Sequence, residues 1–565
     1  MKTIHELKAI GEAPDWMEDY GLKTLQAGYL LPDETPKMMY RRVAKTAAAR
    51  LNKPVLEDRF FDIMWKNWLC PATPILVNMG SNRGLPISCY SSAVPDSLDG
   101  ILMKGHELGM LAKHGGGVGM YLGNIRPRGS EVKGTGGISD GVTAWAKIYD
   151  STIHSVNQGS ARRGAAVVYL PITHSDVEEF LNMRKPTGDA NSRCFNLHHG
   201  VCIDDAFMQS LLDGNKKNRE LWQRVLTERF ETGEPYLFFT DNANRELPQA
   251  YTNNGLKVQT SNLCNEIYLY TDPEHTFVCC LSSMNLARWE EWKDTDTVQL
   301  AIQFLDAVME EYIQKATGLV GMEAAVNFAR KSRALGLGVL GWHTLLQQKM
   351  IPFDSMGAMM LNAKVFGSIR KKADEATRAL AEEFGEPLWC KGTGTRNSHL
   401  LAIAPTVSNS TISGNLSAGI EPLAANTFVQ NSAKGTFIRK NGVLEKLLKS
   451  KNKDTPEVWQ QIDKDAGSVQ GLDCLSPEEK EVFLTARELN QFAIVRQAGQ
   501  RQKWIDQGQS VNLFFGVNSS PKYIHEVHME AWKLGLKGLY YCRTESVLRA
   551  DMASRDSSEC KACEA

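Results

Sequence analysis

The chain has 565 residues, 42% of them hydrophobic and 23% charged, an ordinary globular composition with room for a large core. Its 64 Lys and Arg against 65 Asp and Glu create no field strong enough to recruit nucleic acid or an anionic membrane, so any phosphate must be bound locally. The first thirty residues hold no apolar stretch behind a basic one, and nowhere do about 18 uncharged apolar residues run together, so neither a secretory signal nor a membrane span is expected.

Residues 1–70 are expected to form a helical region, with apolar residues at helical spacing over Met38–Leu51 and Leu56–Leu69, closed by Pro71 and Pro74. From Ile75 to about Tyr541, short apolar runs alternate with helical stretches. Strand-like runs fall at Ala165–Leu170, Gly200–Ile203, Glu266–Leu269 and Leu401–Ile403, and helices at Val298–Lys315, Ala358–Phe384 and Pro477–Trp504. Such alternation argues for an α/β fold with substantial parallel sheet over residues 71–545. Glycine-rich loops cluster at 115–117, 134–137 and 159–164, and the polar stretch Lys449–Gly471 reads as a surface excursion. Residues 546–565 turn small and polar and read as a mobile tail that ends in Cys560-Lys561-Ala562-Cys563.

Twelve cysteines in such a chain fit a reducing cytoplasm, where cysteine spacings signal catalysis or metal binding more often than disulfides. The terminal Cys560 and Cys563 suit thiol exchange at the end of a mobile arm. Half of a zinc site is the rival reading, but zinc usually takes four ligands and no second pair lies nearby in sequence. In Ser261-Asn262-Leu263-Cys264-Asn265-Glu266-Ile267, an extended backbone would put Asn262, Cys264 and Glu266 on one face, an amide, a thiol and a carboxylate together. By itself this segment reads better as a strand with a packed cysteine.

Asn262 to Glu266 resembles the finger-loop motif of the large (α) subunits of ribonucleotide reductases. Other segments fall in that family's order. Pro74-Ile75-Leu76 through Ser88-Cys89 resembles the strand with the first redox cysteine, and Cys279-Cys280-Leu281-Ser282-Ser283-Met284-Asn285-Leu286 the strand with its partner. Ala404-Pro405-Thr406-Val407-Ser408-Asn409-Ser410 resembles the substrate-phosphate loop, followed by Gly419-Ile420-Glu421-Pro422, Ile505–Ser510 and Leu539–Thr544. The resemblance covers roughly residues 70–565. It implies a ten-stranded α/β barrel of two five-stranded parallel halves packed antiparallel, with a central finger loop and an N-terminal helical region.

The roles that follow are what the resemblance implies. Cys264 becomes the thiyl radical that abstracts the 3′ hydrogen, Glu266 is the general base for the 3′ hydroxyl, and Asn262 binds the ribose hydroxyls. Cys89 and Cys279 deliver two electrons. Successive strand residues face opposite ways, so only one of Cys279 and Cys280 can face Cys89; the motif favours Cys279. Cys560 and Cys563 then reset the disulfide, with thioredoxin or glutaredoxin as the external reductant. Tyr540 and Tyr541 relay the radical, Tyr540 nearer Cys264 and Tyr541 nearer a partner.

For substrate, the resemblance marks Thr73, Ser88, Gly117, Thr406, Val407, Ser408 and Asn409, with Pro405-Thr406 opening a helix whose free N–H groups take phosphate and Gly115–Gly117 admitting the nucleotide. For the allosteric effectors, ATP and deoxynucleoside triphosphates with Mg2+, it marks Asp96, Ser97, Leu98, Arg126, Gln158 and Arg162, at a site formed across a homodimer. No metal or cofactor is expected on this chain. The radical would come from a small (β) subunit with a dinuclear metal site, as in class I. Barely seventy residues precede Pro71 and show no basic phosphate-binding pattern, so the family's N-terminal ATP-cone is expected to be absent. The expected activity is that of the catalytic large subunit of a class I ribonucleoside-diphosphate reductase in the cytoplasm of a bacterium or phage-infected host. The rivals are an adenosylcobalamin-dependent class II reductase, a nucleotide-binding regulatory protein without turnover, and a thiol oxidoreductase unrelated to nucleotides.

Overall fold

A computed structural model describes residues 2–134, 136–156, 164–432 and 435–544. The N-terminal region carries helices Ile4–Ala9, Asp19–Gln26, Pro36–Arg50 and Leu56–Trp65. Thr35 caps the third by accepting from Met38 N, and Pro36 sits in its first turn, where no N–H partner is needed. That helix buries Met39, Tyr40, Val43, Ala44 and Ala47, and the next buries Phe60, Phe61, Ile63 and Met64. The second expected helix stops at Trp65, short of Leu69. Asn67 at φ +58° turns the chain, and Leu69–Pro71 leaves as a strand antiparallel to Ser282–Met284.

Beyond it the chain forms a barrel in two halves. Cys89–Ala93, Gly117–Tyr121, Ala165–Pro171, Leu197–Ile203 and Tyr236–Phe239 lie parallel in that order. In the other half Phe277–Asn285 runs parallel to Leu335–Leu340. Parallel bridges Leu337–Leu401 and Ile403–Gln509 continue it, and Leu513–Phe515 lies parallel to Cys542–Thr544. Two antiparallel seams join the halves: Cys89–Ser91 with Phe277–Cys279, and Leu237–Phe238 with Gly538–Leu539. Helices pack outside. The largely apolar Thr297–Ala316 is buried nearly all round. Its one deeply buried aspartate, Asp306, is matched by Arg333 at 2.8 Å and by Arg396 and Asn397. No helix among the described residues is long and apolar enough to cross a membrane.

Several expected elements differ. Pro74-Ile75-Leu76 belongs to a short helix, Thr73–Asn78, because Pro74 enters its first turn; the cysteine strand begins only at Cys89. Leu401–Ile403 is reduced to isolated bridges, and Glu266–Leu269 pairs with no strand. The stretch expected as one helix over Pro477–Trp504 is two, Pro477–Val482 and Gln491–Gln502, because Asn490 caps a new start by accepting from Phe492 N. The excursion around Lys449–Gly471 has a small core of its own, with Leu444, Leu448, Trp459 and Ile462 packed together.

The segment 261–268 runs through the barrel as a loop, and the wall is cut to fit it. A methyl on Gly119 would lie 2.1 Å from the Ser261 carbonyl oxygen, and one on Gly538 would lie 2.6 Å from Asn265 Nδ2. Gly119→Ala should therefore destabilise the fold at the upper end of the about 1–3 kcal/mol typical of overpacking. A urea midpoint equal to that of the unsubstituted chain would show that the loop has room to retreat.

Candidate active site

Cys89 and Cys279 face each other directly across the first seam. Residues opposed in an antiparallel pair have Cα atoms about 4.5–5.5 Å apart, within the span of a disulfide. Both are buried, and no disulfide joins them. Burial pushes the Cys279 thiol up, against the Gln507 hydrogen bond, while Cys280, Cys89 and Glu266 add to the rise. Cys279 is thus held protonated. Gln507 Nε2 donates to Cys279 Sγ at 3.3 Å and to the Leu335 carbonyl at 2.8 Å. Cys280 takes the opposite face of the strand, where Arg333 and Asp306 act on it, as period-two alternation requires.

The finger loop is a turn and not the strand expected from its alternation. Asn265 N donates to the Asn262 carbonyl at 3.3 Å and Asn265 itself has φ +58°, a conformation asparagine tolerates better than most residues. The turn still ties the three expected residues together. Asn262 Oδ1 accepts from Glu266 N at 3.0 Å and Ile267 N at 3.1 Å, which leaves its NH2 to donate to Cys89 Sγ at 3.1 Å. Ser510 Oγ bonds both the Cys264 carbonyl, at 2.7 Å, and Glu266 Oε2, at 3.2 Å. Asn265, assigned no role from sequence, anchors the tip: its Nδ2 donates to the carbonyls of Leu237 (2.8 Å) and Leu539 (3.1 Å), one on each strand of the second seam.

Tyr540 and Tyr541 follow that seam with ring centroids 4.3 Å apart, Tyr540 buried and Tyr541 partly exposed. A third ring missed in the sequence, Tyr236, lies 4.7 Å from Tyr540 and 5.1 Å from Tyr541. Asn512 holds Tyr541 in place by accepting from its backbone N at 2.9 Å, and its Nδ2 donates to Glu421. Although Glu421 as a whole residue is only partly buried, its carboxyl is packed in, and burial pushes it up to about 7 against the pull of Arg543 and Asn512. Gln507, Ser510 and Glu421 stand within quoted motifs; Tyr236 and Asn512 carried no sequence signal beyond their types.

The expected phosphate loop opens the short helix Val407–Ile412, with Thr406 at φ +57° as its N-cap. The Thr406 hydroxyl accepts from Gly419 N at 2.7 Å, and Asn409 Nδ2 donates to the Pro71 carbonyl at 3.0 Å, so both side chains also tie the loop to its neighbours. Val407 and Ser408 are partly exposed. Ser88 is buried and its carbonyl accepts from Gly117 N; the Thr73 hydroxyl meets the Tyr29 hydroxyl at 2.8 Å. The glycine at 117 also makes room for the finger loop: a methyl there would lie 2.8 Å from Leu263 Cδ2. Of the effector residues, Asp96 pairs with Arg126 Nε at 2.9 Å, Ser97 caps helix Leu98–Lys113, and Leu98 is exposed. Gln158, Arg162, Cys560 and Cys563 lie outside the described residues. Among the described residues no cluster of three or more His, Cys, Asp or Glu could hold a metal ion.

Two family descriptions match the chain: "Ribonucleotide reductase, all-alpha domain" over residues 16–84, and "Ribonucleotide reductase, barrel domain" over 87–218, 213–389 and 388–542. It is 34% identical to the ribonucleoside-diphosphate reductase large subunit of Invertebrate iridescent virus 3, over 94% of each chain. It is 30% identical to the ribonucleoside-diphosphate reductase subunit alpha of Chlamydia muridarum (strain MoPn / Nigg), over 98% of this chain and 62% of that protein. Among solved structures, the Actinobacillus ureae class Id ribonucleotide reductase alpha subunit superposes with a TM-score of 0.88 at 40% identity, over 95% of this chain and 99% of that one.

The Glu421 carboxyl makes a test of the seam's electrostatics. With its pKa raised above the ordinary 4.5, it keeps its proton in the folded chain where the unfolded chain has lost it, so its contribution to stability falls as pH rises from 4.5 towards 7. Glu421→Gln has no proton to lose. The drop in urea midpoint between about pH 5 and about pH 8 should be smaller in this variant than in the unsubstituted chain; equal drops would place the titration elsewhere.

Proposed function

The chain belongs to the ribonucleotide reductase family and is the catalytic large subunit of a ribonucleoside-diphosphate reductase, and from that premise we propose how its residues divide the work. The observation that carries the assignment is the tie between the finger loop and the thiol pair: the Asn262 amide touches Cys89, and Cys89 faces Cys279. A thiyl at Cys264 takes the 3′ hydrogen of the ribose, and Glu266 accepts the 3′-hydroxyl proton. Asn262, whose Oδ1 is occupied by two backbone N–H groups, has only its NH2 to offer, so it donates to a ribose hydroxyl. Replacing the 2′ C–OH by C–H needs two electrons and releases water. Cys89 and Cys279 supply the electrons as they become a disulfide, which Cys560 and Cys563 reduce by exchange with help from thioredoxin or glutaredoxin. Thr73, Ser88, Gly117 and the 406–409 loop hold the nucleoside diphosphate.

The radical arrives from a small subunit through Tyr541 and Tyr540. The packed rings at the second seam support this reading. On the same side, an apolar cleft of about 630 Å³ lined by Leu211, Trp222, Leu226, Phe230, Val517 and Ile524 suits a partner's apolar segment. A second copy of the chain suits another face: Leu98, Leu102 and Met103, exposed by 63%, 49% and 63%, line one side of helix Leu98–Lys113. Effector nucleotides with Mg2+ would bind at its start, around Asp96 and Arg126. The cytoplasm supplies the reducing conditions these thiols need.

CDP reduction tests the assignment. One reaction holds the chain, dithiothreitol, ATP and the metal-loaded small subunit from the same source; the other replaces that subunit with adenosylcobalamin. Deoxycytidine diphosphate should form only in the first, and Cys264→Ser or Tyr541→Phe should abolish it while nucleotide binding persists. Product only in the second reaction would make the enzyme class II and the tyrosines packing residues. Leu102→Glu should shift the sedimenting species from dimer to monomer, and an unshifted dimer would move the interface off this helix.

A further inference from the structure

A disulfide opens by exchange only if one of its sulfurs leaves as a thiolate, and the inside of this barrel disfavours one. Burial raises the Cys279 thiol most, and Cys280, Cys89 and Glu266 raise it further. The hydrogen bond from Gln507 Nε2 to Cys279 Sγ, at 3.3 Å, acts the other way. The opposed sulfur has a donor of the same kind: Asn262 Nδ2 lies 3.1 Å from Cys89 Sγ. Each sulfur of the facing pair thus meets one carboxamide N–H.

The two ends of a carboxamide have nearly the same shape, so its partners fix which end points where. Here those partners are three consecutive N–H groups of the finger loop. Glu266 N and Ile267 N donate to Asn262 Oδ1 at 3.0 and 3.1 Å, and Tyr268 N donates to Gln507 Oε1 at 3.3 Å. With both oxygens held by the loop, both NH2 groups turn to the sulfurs. Gln507 gives one hydrogen to the Leu335 carbonyl at 2.8 Å and has the other for Cys279. Its backbone is pinned as well: its N donates to the Leu401 carbonyl at 3.2 Å, and its carbonyl accepts from Gln502 Nε2 at 2.9 Å. Asn262 and Gln507 are both fully buried, where a hydrogen bond to a charged atom is stronger than in water.

We propose that the Gln507 and Asn262 amides form a two-donor hole for the thiolates released when the Cys89–Cys279 disulfide is reopened. The proposal deepens the reading of the two cysteines as the reducing pair and rests on it. The attacking thiolate belongs to a dithiol, the Cys560 and Cys563 arm. Cys89 is the sulfur attacked, because Cys279 is closed in: it is fully buried and a methyl on Gly336 would lie 3.0 Å from its Sγ, whereas Cys89 keeps 3% exposure. A new S–S bond forms to Cys89, the bond to Cys279 breaks, and its electron pair stays on Cys279 Sγ, facing the Gln507 N–H. The second thiolate of the dithiol then attacks its partner's sulfur in the mixed disulfide, and Cys89 leaves facing the Asn262 N–H. The two protons given up by the dithiol end on Cys279 and Cys89, so the buried pair is reduced as the dithiol is oxidised. Gln507 touches a reacting sulfur, and the loop that carries Cys264 aims it.

The test uses the large subunit carrying Cys560→Ser and Cys563→Ser, with its small subunit, so that only the buried pair and an added dithiol exchange. One turnover with CDP and ATP and no reductant should leave the Cys89–Cys279 disulfide, identified by mass after alkylation. Product formed without that disulfide removes the pair reading and the inference together. Gln507→Met then keeps the length of the side chain and removes the donor. In this variant and in its parent the pair is closed with diamide and reopened with dithiothreitol. Reopening should be about tenfold slower in the variant, the scale of one hydrogen bond to a charged atom. The reduction potential of the pair should not move, because both sulfurs are uncharged at either end of the reaction and the donor acts on the thiolate in between. Gln507→Leu repeats the comparison should methionine crowd the site. Reopening as fast as in the parent, or slowed together with a shifted potential, overturns the inference and leaves the pair reading standing.

Discussion

A loop threaded through the inside of a barrel cannot leave its backbone groups unpaired, because no bulk water reaches them. The segment 261–268 meets that requirement mostly with side chains. Asn262 Oδ1 takes two of its N–H groups. The Tyr169, Ser261 and Ser510 hydroxyls donate to the carbonyls of Asn262, Ile267 and Cys264. Gln507 Oε1 accepts from Tyr268 N. The wall gives way at Gly119, Gly508 and Gly538, where a methyl would strike the loop. Much of the polar and glycine pattern of the barrel interior follows from this one requirement.

The same loop connects the two seams where the half-barrels meet antiparallel. At one seam the strands oppose Cys89 and Cys279, and Asn262 reaches Cys89. At the other the Asn265 amide bridges Leu237 and Leu539, one residue from Tyr236 and Tyr540 respectively. The facing thiols sit at the first seam and the packed tyrosines at the second, with Cys264 on the turn between them. Antiparallel seams suit both tasks. They put residues from distant parts of the chain directly opposite one another, which parallel strands, with their long crossovers, do only at the cost of a helix between each pair.

Charge is distributed to match. Around the thiols burial dominates and, with Glu266 adding to it, pushes the Cys279 thiol up. Around the tyrosines, His198, Glu234, Arg184, Arg543 and Glu421 gather.

How much of this was legible beforehand depended on whether the local conformation had been guessed correctly. Cys279 was separated from Cys280 because Phe277–Asn285 is a true strand, so alternation held. The same argument fails for Asn262, Cys264 and Glu266, since a turn with Asn265 at positive φ, and not a strand, ties them together. The α/β class was legible in the chain alone, and so were the candidate thiols and tyrosines, because hydrophobic period and residue type are local properties. Only the tertiary structure decided why residue 117 is glycine, how Tyr236 joins the tyrosine pair, and that His198 and Glu234 stand beside Tyr541. Those depend on contacts between segments up to several hundred residues apart, which no local period records.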